Sequence, residues 1–333
     1  MWIDAICINQ RNPREQEHQI GLMRDIFEGC SQCVVWLGEE DNETEKALET
    51  LHWISDGLHV HQWPCFGLLG NERISKSFER STCSIESVME PLQRFLCRPW
   101  FSRTWTFQEF ILPRIHEIRC GHFHIPFKLL LNSQSNLYDH LASCCRDSTR
   151  TGALRNVNEQ LFRQRYSLSR TRDLPKSAEA LGFLIALEDN RHRTATRDHD
   201  KVYGLLGLAP PVFQKLIVPN YRLDIPTVYA QPLVTYWQTN ASLIPLLSSR
   251  NRNAKSHLPS WVPDWFSAPK PSLLIAWWRR RYAVYDACGH HRLYPSIYDY
   301  KVLHVQGVKC DTMKTRWKIR PSFWEIPLPW GHA

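Results

Sequence analysis

Two short apolar runs bracket one strongly periodic helix near the start of the chain, and that pattern limits the folds open to it. Trp2-Ile-Asp-Ala-Ile-Cys-Ile8 is apolar apart from one acid and reads as a buried strand. Asn12 suits an N-cap, Pro13 the first helical position, and Glu15 the acidic place of a capping box. Ile20, Met23, Ile26 and Phe27 then share a helical stripe, which Gly29 ends. Cys33-Val-Val-Trp-Leu37 reads as a second buried strand, stopped by Gly38. Strand, helix and strand with short joints make a βαβ unit, whose two strands run parallel. The expected fold class is therefore α/β.

Helical periodicity returns downstream. Ala47, Leu48, Leu51, Ile54 and Leu58 predict a helix over 42–58, and Ile85, Val88, Met89, Leu92, Phe95 and Leu96 predict another. Residues 59–84 lose the pattern and read as a loop or insertion. Ile115–Cys120, closed by Gly121, predicts a third strand, and 127–141 a helix. Residues 143–174 are polar and basic and read as a connection. Helices are expected over 178–187 and 198–208, the latter stopped by Ala209-Pro210-Pro211. Beyond Pro219 periodicity is weak, except that Val302–Val308 alternates like a strand.

The chemistry concentrates in Arg98-Pro-Trp-Phe-Ser-Arg-Thr-Trp-Thr-Phe-Gln-Glu109. Pro99 biases Arg98 away from helix, and Ser102 suits an N-cap. A helix begun there places Phe101, Trp105, Glu109 and Leu112 on one face. That arrangement sets a carboxylate against an indole on an apolar stripe, where lost solvation favours its acid form. Such a group is a functional-site candidate. The alternative is a brace, with Glu109 paired to Arg103 or Arg98.

Composition narrows the remaining classes. The chain has 333 residues, enough for one large domain or two ordinary ones. A formal net charge of +8 over this length suits anionic ligands without marking nucleic acid. The 11 cysteines follow no signal peptide, because Asp4 interrupts the N-terminal apolar run, and free thiols in a reducing cytosol are expected. Apolar runs such as Leu181–Leu187 are too short to span a bilayer. Cys30-Ser-Gln-Cys33 lacks a second pair, so small apolar fillers are a better reading than zinc ligands. The pairs His59/His61 and His290/His291 and the Trp277–Tyr282 cluster of aromatics and cations read as solvated surface rather than metal or nucleic-acid sites. No Walker loop, dinucleotide Gly-x-Gly-x-x-Gly or serine-hydrolase elbow is present.

Trp2–Gln10, Glu17–Phe27 with Gln19 and Met23, Val34–Gly38, Arg98–Glu109, Arg197–Ala209 and Pro219–Tyr221, with Leu258–Trp265 similar to a segment common downstream of such domains, together resemble the fungal heterokaryon incompatibility (HET) domain family. The resemblance implies a role in non-self recognition and programmed cell death. It also implies a flavodoxin-like parallel sheet flanked by helices, similar to the Toll/interleukin-1 receptor (TIR) fold. The expected division is a HET domain over 1–145, its helical continuation over 146–210, and a mixed, α-rich C-terminal extension over 211–333.

Many TIR domains cleave NAD⁺ at the nicotinamide–ribose bond, using a Glu four positions after a Trp, and Trp105 with Glu109 fits that spacing. Glu109 is thus implied to be catalytic. Arg98 and Arg103 could hold the pyrophosphate, and Trp100 or Trp105 could stack on a ring. Asp4, Asn9 and Gln10 would line the carboxyl edge of the first strand, where open α/β sheets bind ligands. No cofactor or metal is expected; NAD⁺ would be substrate. Asp198, Asp200 and Tyr203, within the Arg197–Ala209 motif, are read as structural. Family members usually carry a further strand before the Trp-Ile-Asp-Ala segment, and here Met1 abuts Trp2. Two other readings therefore stand beside the enzyme: a non-enzymatic module acting through self-association or other incompatibility proteins, and an inactive fragment.

Overall fold

The computed structural model describes residues 1–63, 84–142, 152–154, 156–158, 160–161, 179–240, 243, 245–246, 257–267 and 295–305. The expectations for 64–83, most of 143–174, the Trp277–Tyr282 cluster and His290/His291 lie outside these residues.

The first run does not form a strand. Residues Asp4–Cys7 make a short helix, α1, in which Cys7 N–H donates to the Ile3 carbonyl at 2.8 Å and Ile8 N–H to the Asp4 carbonyl at 3.1 Å. Asp4 also accepts Ala5 N–H at 2.7 Å, an acid placed in a first turn. Of the apolar residues here only Ile8 is buried, and Ile6 is 76% exposed. A short apolar run is ambiguous between strand and helix, and local hydrogen bonding decided it.

Helix α2, Pro13–Gly29, matches expectation. The Asn12 side chain accepts from Arg14 and Glu15 N–H, and Pro13 opens the helix. Glu15 does not close a capping box; its carboxylate accepts Asn9 N–H at 2.9 Å and so ties the incoming loop to the helix.

Strand β1, Cys33–Trp36, pairs in parallel with β2, His116–Cys120. The parallel partner expected at residues 2–8 is thus replaced by one far along the chain. Strand β3, Phe123–Ile125, runs antiparallel to β2. The β2–β3 turn needs Gly121, whose φ is +52° and whose missing Cβ would lie 1.1 Å from Glu40 Oε2. That carboxylate accepts His122 N–H at 3.1 Å.

Helices α3 (Thr44–Ser55), α4 (Ile85–Leu96) and α7 (Phe127–Ala142) cover one face of this sheet, with the short α5 (Pro99–Ser102) and α6 (Thr106–Ile111) between α4 and β2. Val35, Ile118, Cys120 and Ile125 meet Leu51, Ile54, Met89, Leu92 and Leu137 in a first core. A second core gathers around α8 (Glu179–Asp189), α9 (Asp200–Tyr203), α10 (Pro211–Leu216) and α11 (Ile225–Thr239). It takes Ile20 from α2, Phe107 and Phe110 from α6, and Trp261 and Trp265 from the late segment. Trp100 and Phe127 pack against both cores.

A hairpin of β4 (Ser296–Tyr298) and β5 (Val302–His304) turns through Asp299 and Tyr300 at φ +48° and +52°. It is tied to the second core by Trp261 Nε1, which donates to the Lys301 carbonyl at 3.1 Å. The fold is mixed α/β and rich in helix, with two small sheets among the described residues. No helix among them is long and apolar enough to cross a membrane.

Candidate functional site

The helix expected from Ser102 to Leu112 is broken, and the break builds the site. Ser102 closes α5 instead of capping a helix, and its hydroxyl donates back to the Pro99 carbonyl at 3.1 Å. Arg103 is extended and bridges Thr194. Thr194 N–H donates to the Ser102 carbonyl at 2.6 Å, and Thr104 N–H to the Thr194 carbonyl at 2.9 Å. A strand-like contact thus replaces one helical turn, and α6 restarts at Thr106, whose hydroxyl reaches the Trp100 carbonyl at 2.6 Å.

The consequence is a change of partner. Trp100, not Trp105, meets Glu109: its indole N–H donates to Oε2 at 3.1 Å. The Trp100 ring packs edge-on against Phe101 and Phe110, at 5.4 and 5.7 Å between centroids. Glu109 is half-buried and, among the described residues, accepts no other hydrogen bond. Its pKa is raised, first by burial; the Trp100 bond opposes this, Asp4 adds repulsion, and Arg103 and Arg193 pull it down. The Cys33 thiol, pushed up to about 12 by burial and then by the Glu109 charge, stands in the same neighbourhood and stays protonated.

Arg193 is the residue that sequence reasoning missed. It is buried in the second half of the chain, and Nη1 donates to the Phe101 and Arg103 carbonyls at 3.2 and 3.1 Å. Its Nε donates to Asn190 Oδ1 at 2.8 Å, and its guanidinium lies 5.0 Å from the centre of the Phe107 ring. Burial lowers its pKa to about 9, against the attraction of Glu109. This cation holds the α5–α6 break open from behind the carboxylate. No local pattern around 189–194 marks it, because its role depends on a contact made across the fold.

The remaining predicted residues divide. Arg103 is exposed and acts on Glu109, as does Asp4. Asn9 and Gln10 belong to the knot that joins α1 to α2: Asn9 Oδ1 accepts Arg11 N–H at 3.0 Å, and Gln10 Nε2 donates to the Asp4 carbonyl at 3.2 Å. With no strand at 2–8, these three residues do not stand at a strand's carboxyl edge. Arg98 is engaged elsewhere: Nη1 donates to the Leu37 and Glu39 carbonyls at 3.1 and 2.8 Å, and Nη2 to Asp41 Oδ2 at 3.1 Å. It fastens the exit of β1.

Trp105 points to a second acid. Asp200 accepts the Tyr221 hydroxyl at 2.5 Å, and the nearby Trp105 indole helps to lower its pKa. Arg197 lies 4.7 Å from the centre of the Tyr221 ring, and Tyr221 N–H donates to Glu17 at 3.0 Å. Nearby, Gln108 Nε2 donates to the Gly204 carbonyl at 2.7 Å. Its Oε1 sits 2.0 Å from where a Cβ on Gly207 would lie. The Gly-Leu-Leu-Gly spacing of 204–207 is therefore the seat of the Gln108 amide, and the segments 98–109 and 197–221 form one bonded unit. Among the described residues no three His, Cys, Asp or Glu side chains group as metal ligands.

The model of the family described as heterokaryon incompatibility protein (HET) matches residues 1–109. Heterokaryon incompatibility protein 6, OR allele, from Neurospora crassa is 29% identical across 88% of this chain and 48% of its own length. The chain thus spans about half the length of that curated relative. No solved structure matches. Of the segments that carried the resemblance, Trp2–Gln10, Glu17–Phe27, Val34–Gly38 and Arg98–Glu109 lie within the matched region, while Arg197–Ala209 and Pro219–Tyr221 lie outside it and are bonded to it through Gln108 and Glu17. Over residues 1–109 this chain is similar to the heterokaryon incompatibility (HET) family.

Proposed function

We propose that the chain acts in fungal non-self incompatibility as a cytoplasmic effector of cell death, and that Glu109 carries its chemistry by cleaving NAD⁺. The observation that carries this reading is the half-buried Glu109, held by one indole N–H, repelled by Asp4 and approached by the exposed cation of Arg103. A carboxylate kept short of partners in a desolvated place is primed to bind developing positive charge.

In the reaction the C1′–N bond between ribose and nicotinamide breaks. The bonding pair leaves with nicotinamide, which departs neutral, and the ribose becomes an oxocarbenium ion. Ionised Glu109 stabilises that cation, and water then adds at C1′ and releases a proton, giving ADP-ribose. Arg103 holds the pyrophosphate through its planar fork. The stacking role falls to the half-buried Trp105, because Trp100 is packed against Phe101 and Phe110. On the same reading β1 and β2 are two strands of a flavodoxin/TIR-like sheet, and residues 1–145, 146–210 and 211–333 are the HET domain, its continuation and an extension.

The test is product release. Purified, clustered protein is expected to convert NAD⁺ to nicotinamide and ADP-ribose, resolved by liquid chromatography. The Glu109→Gln protein is expected to leave NAD⁺ intact. Equal killing of fungal cells by both proteins would instead favour a non-enzymatic signalling module.

A further inference from the structure

Among the described residues strand β1 is the outer strand of its sheet, and none of them pairs with its free edge. Its hydrogen bonds to β2 alternate along the strand: Cys33 N–H donates to the Ile115 carbonyl and Leu37 N–H to the Arg119 carbonyl, each at 2.9 Å. By that alternation the peptide groups of Val34 and Trp36 face the free edge. Among the described residues none bonds to them. The side chains of the same two residues stand on the face opposite the first core, Val34 at 56% and Trp36 at 50% exposure. Parallel pairs are ordinarily covered on both faces. Natural edges carry Lys, Pro, a bulge or a covering loop, and Cys33-Val-Val-Trp36 has neither lysine nor proline.

We infer that the free edge of β1 takes the β1 strand of a second copy of this chain, antiparallel across a two-fold axis through Val35. In that register Val34 faces Trp36 of the other copy, and the peptide groups turned outward are those that form hydrogen-bonded pairs, each exchanging both N–H···O=C bonds. A β-branched side chain then lies against an aromatic one, a favourable cross-strand pair, and the buried Val35 keeps its core-facing side. The flanking charges do not oppose the pairing, because Glu39 and Glu40 fall opposite Ser31 and Cys30. The patch is self-complementary, as an isologous interface must be. The two three-stranded sheets become one continuous sheet. This inference rests on the geometry of β1 and not on NAD⁺ cleavage, so a chain that turns over no NAD⁺ still dimerises.

Light scattering on the eluting full chain, over a wide range of concentration, is expected to show a mass that rises from monomer to dimer. Amide hydrogen exchange is expected to show Val34 and Trp36 protected in the dimer and open in the monomer. Val34→Lys places a solvated charge on the edge and is expected to weaken the dimer about tenfold or more, with circular dichroism unchanged. Trp36→Lys is expected to do the same. A chain that stays monomeric at every concentration overturns the inference, as does a dimer that both variants leave intact. Fast exchange at Val34 and Trp36 in a wild-type dimer places the contact elsewhere and overturns it even where the lysine variants fail to fold.

Discussion

Two carboxylates in this chain sit beside indoles, and their surroundings assign them opposite jobs. Asp200 is 6% exposed, accepts the Tyr221 hydroxyl, and has Trp105, Arg197 and His199 around it. Its pKa is still raised, because burial outweighs those partners. Through Tyr221 it reaches Glu17 of α2, so it fastens that helix of the matched region to a loop far along the chain. Glu109 has one hydrogen-bond donor among the described residues, a repelling acid in Asp4, and open flank enough for exposed Arg103 to act on it. A saturated buried acid is a brace. An under-partnered, partly open one costs the fold something and persists where chemistry needs it.

The comparison breaks first at the brace. Asp200→Ala leaves the buried Tyr221 hydroxyl without its charged acceptor, and is expected to lower unfolding free energy by about 3 kcal/mol. Urea denaturation followed by tryptophan fluorescence reads this directly. Gly207→Ala attacks the joint from the other side. Its Cβ would enter the Gln108 amide, and a loss of about 2 kcal/mol is expected in the same assay. A neutral result for either change would remove the bonded unit of 98–109 with 197–221 as a structural device.

The open site answers differently. Arg103→Ala removes an exposed cation, so stability is expected to change by less than about 0.5 kcal/mol. The proton on Glu109 should be held more tightly in that variant, because the Arg103 charge lowers the acid's pKa. Carboxyl-carbon NMR titration should place Glu109 above the ordinary glutamate range in the wild type and higher still in Arg103→Ala. NAD⁺ turnover, which needs the ionised form, should rise with pH through the same transition.

Much of the helical framework was legible from the 3.6-residue period alone. The helices predicted from the stripes of α2, α3 and α4 stand close to where their apolar residues place them, and the helix expected over 127–141 is α7. So does the strand closed by Gly121. The failures have one physical cause, competition between local and distant hydrogen bonds. Trp2–Ile8 has no period of its own, and its peptide groups closed on themselves as α1, with no partner strand for it among the described residues. The helix predicted through Ser102 was interrupted because Thr194 offered Ser102 and Thr104 better partners than another helical turn. That interruption moved the indole beside Glu109 from Trp105 to Trp100. Spacing found the acid, and tertiary contacts chose its neighbour. Arg193 could not have been read at all, since nothing in its own segment shows that it would sit behind α5 and α6.

The most direct measurement is the unfolding free energy of Glu109→Gln against the wild type across pH. Gln keeps an oxygen for the Trp100 N–H and removes the charge. The folded protein holds the Glu109 proton more tightly than the unfolded chain does. The acid's contribution to stability is therefore fully present below the ordinary glutamate pKa and is lost as pH rises through the raised one. Glu109→Gln is expected to be at least as stable as the wild type at neutral pH, with its advantage shrinking on acidification. A variant less stable than the wild type by more than about 1 kcal/mol at neutral pH would make Glu109 a brace like Asp200, and would contradict the account.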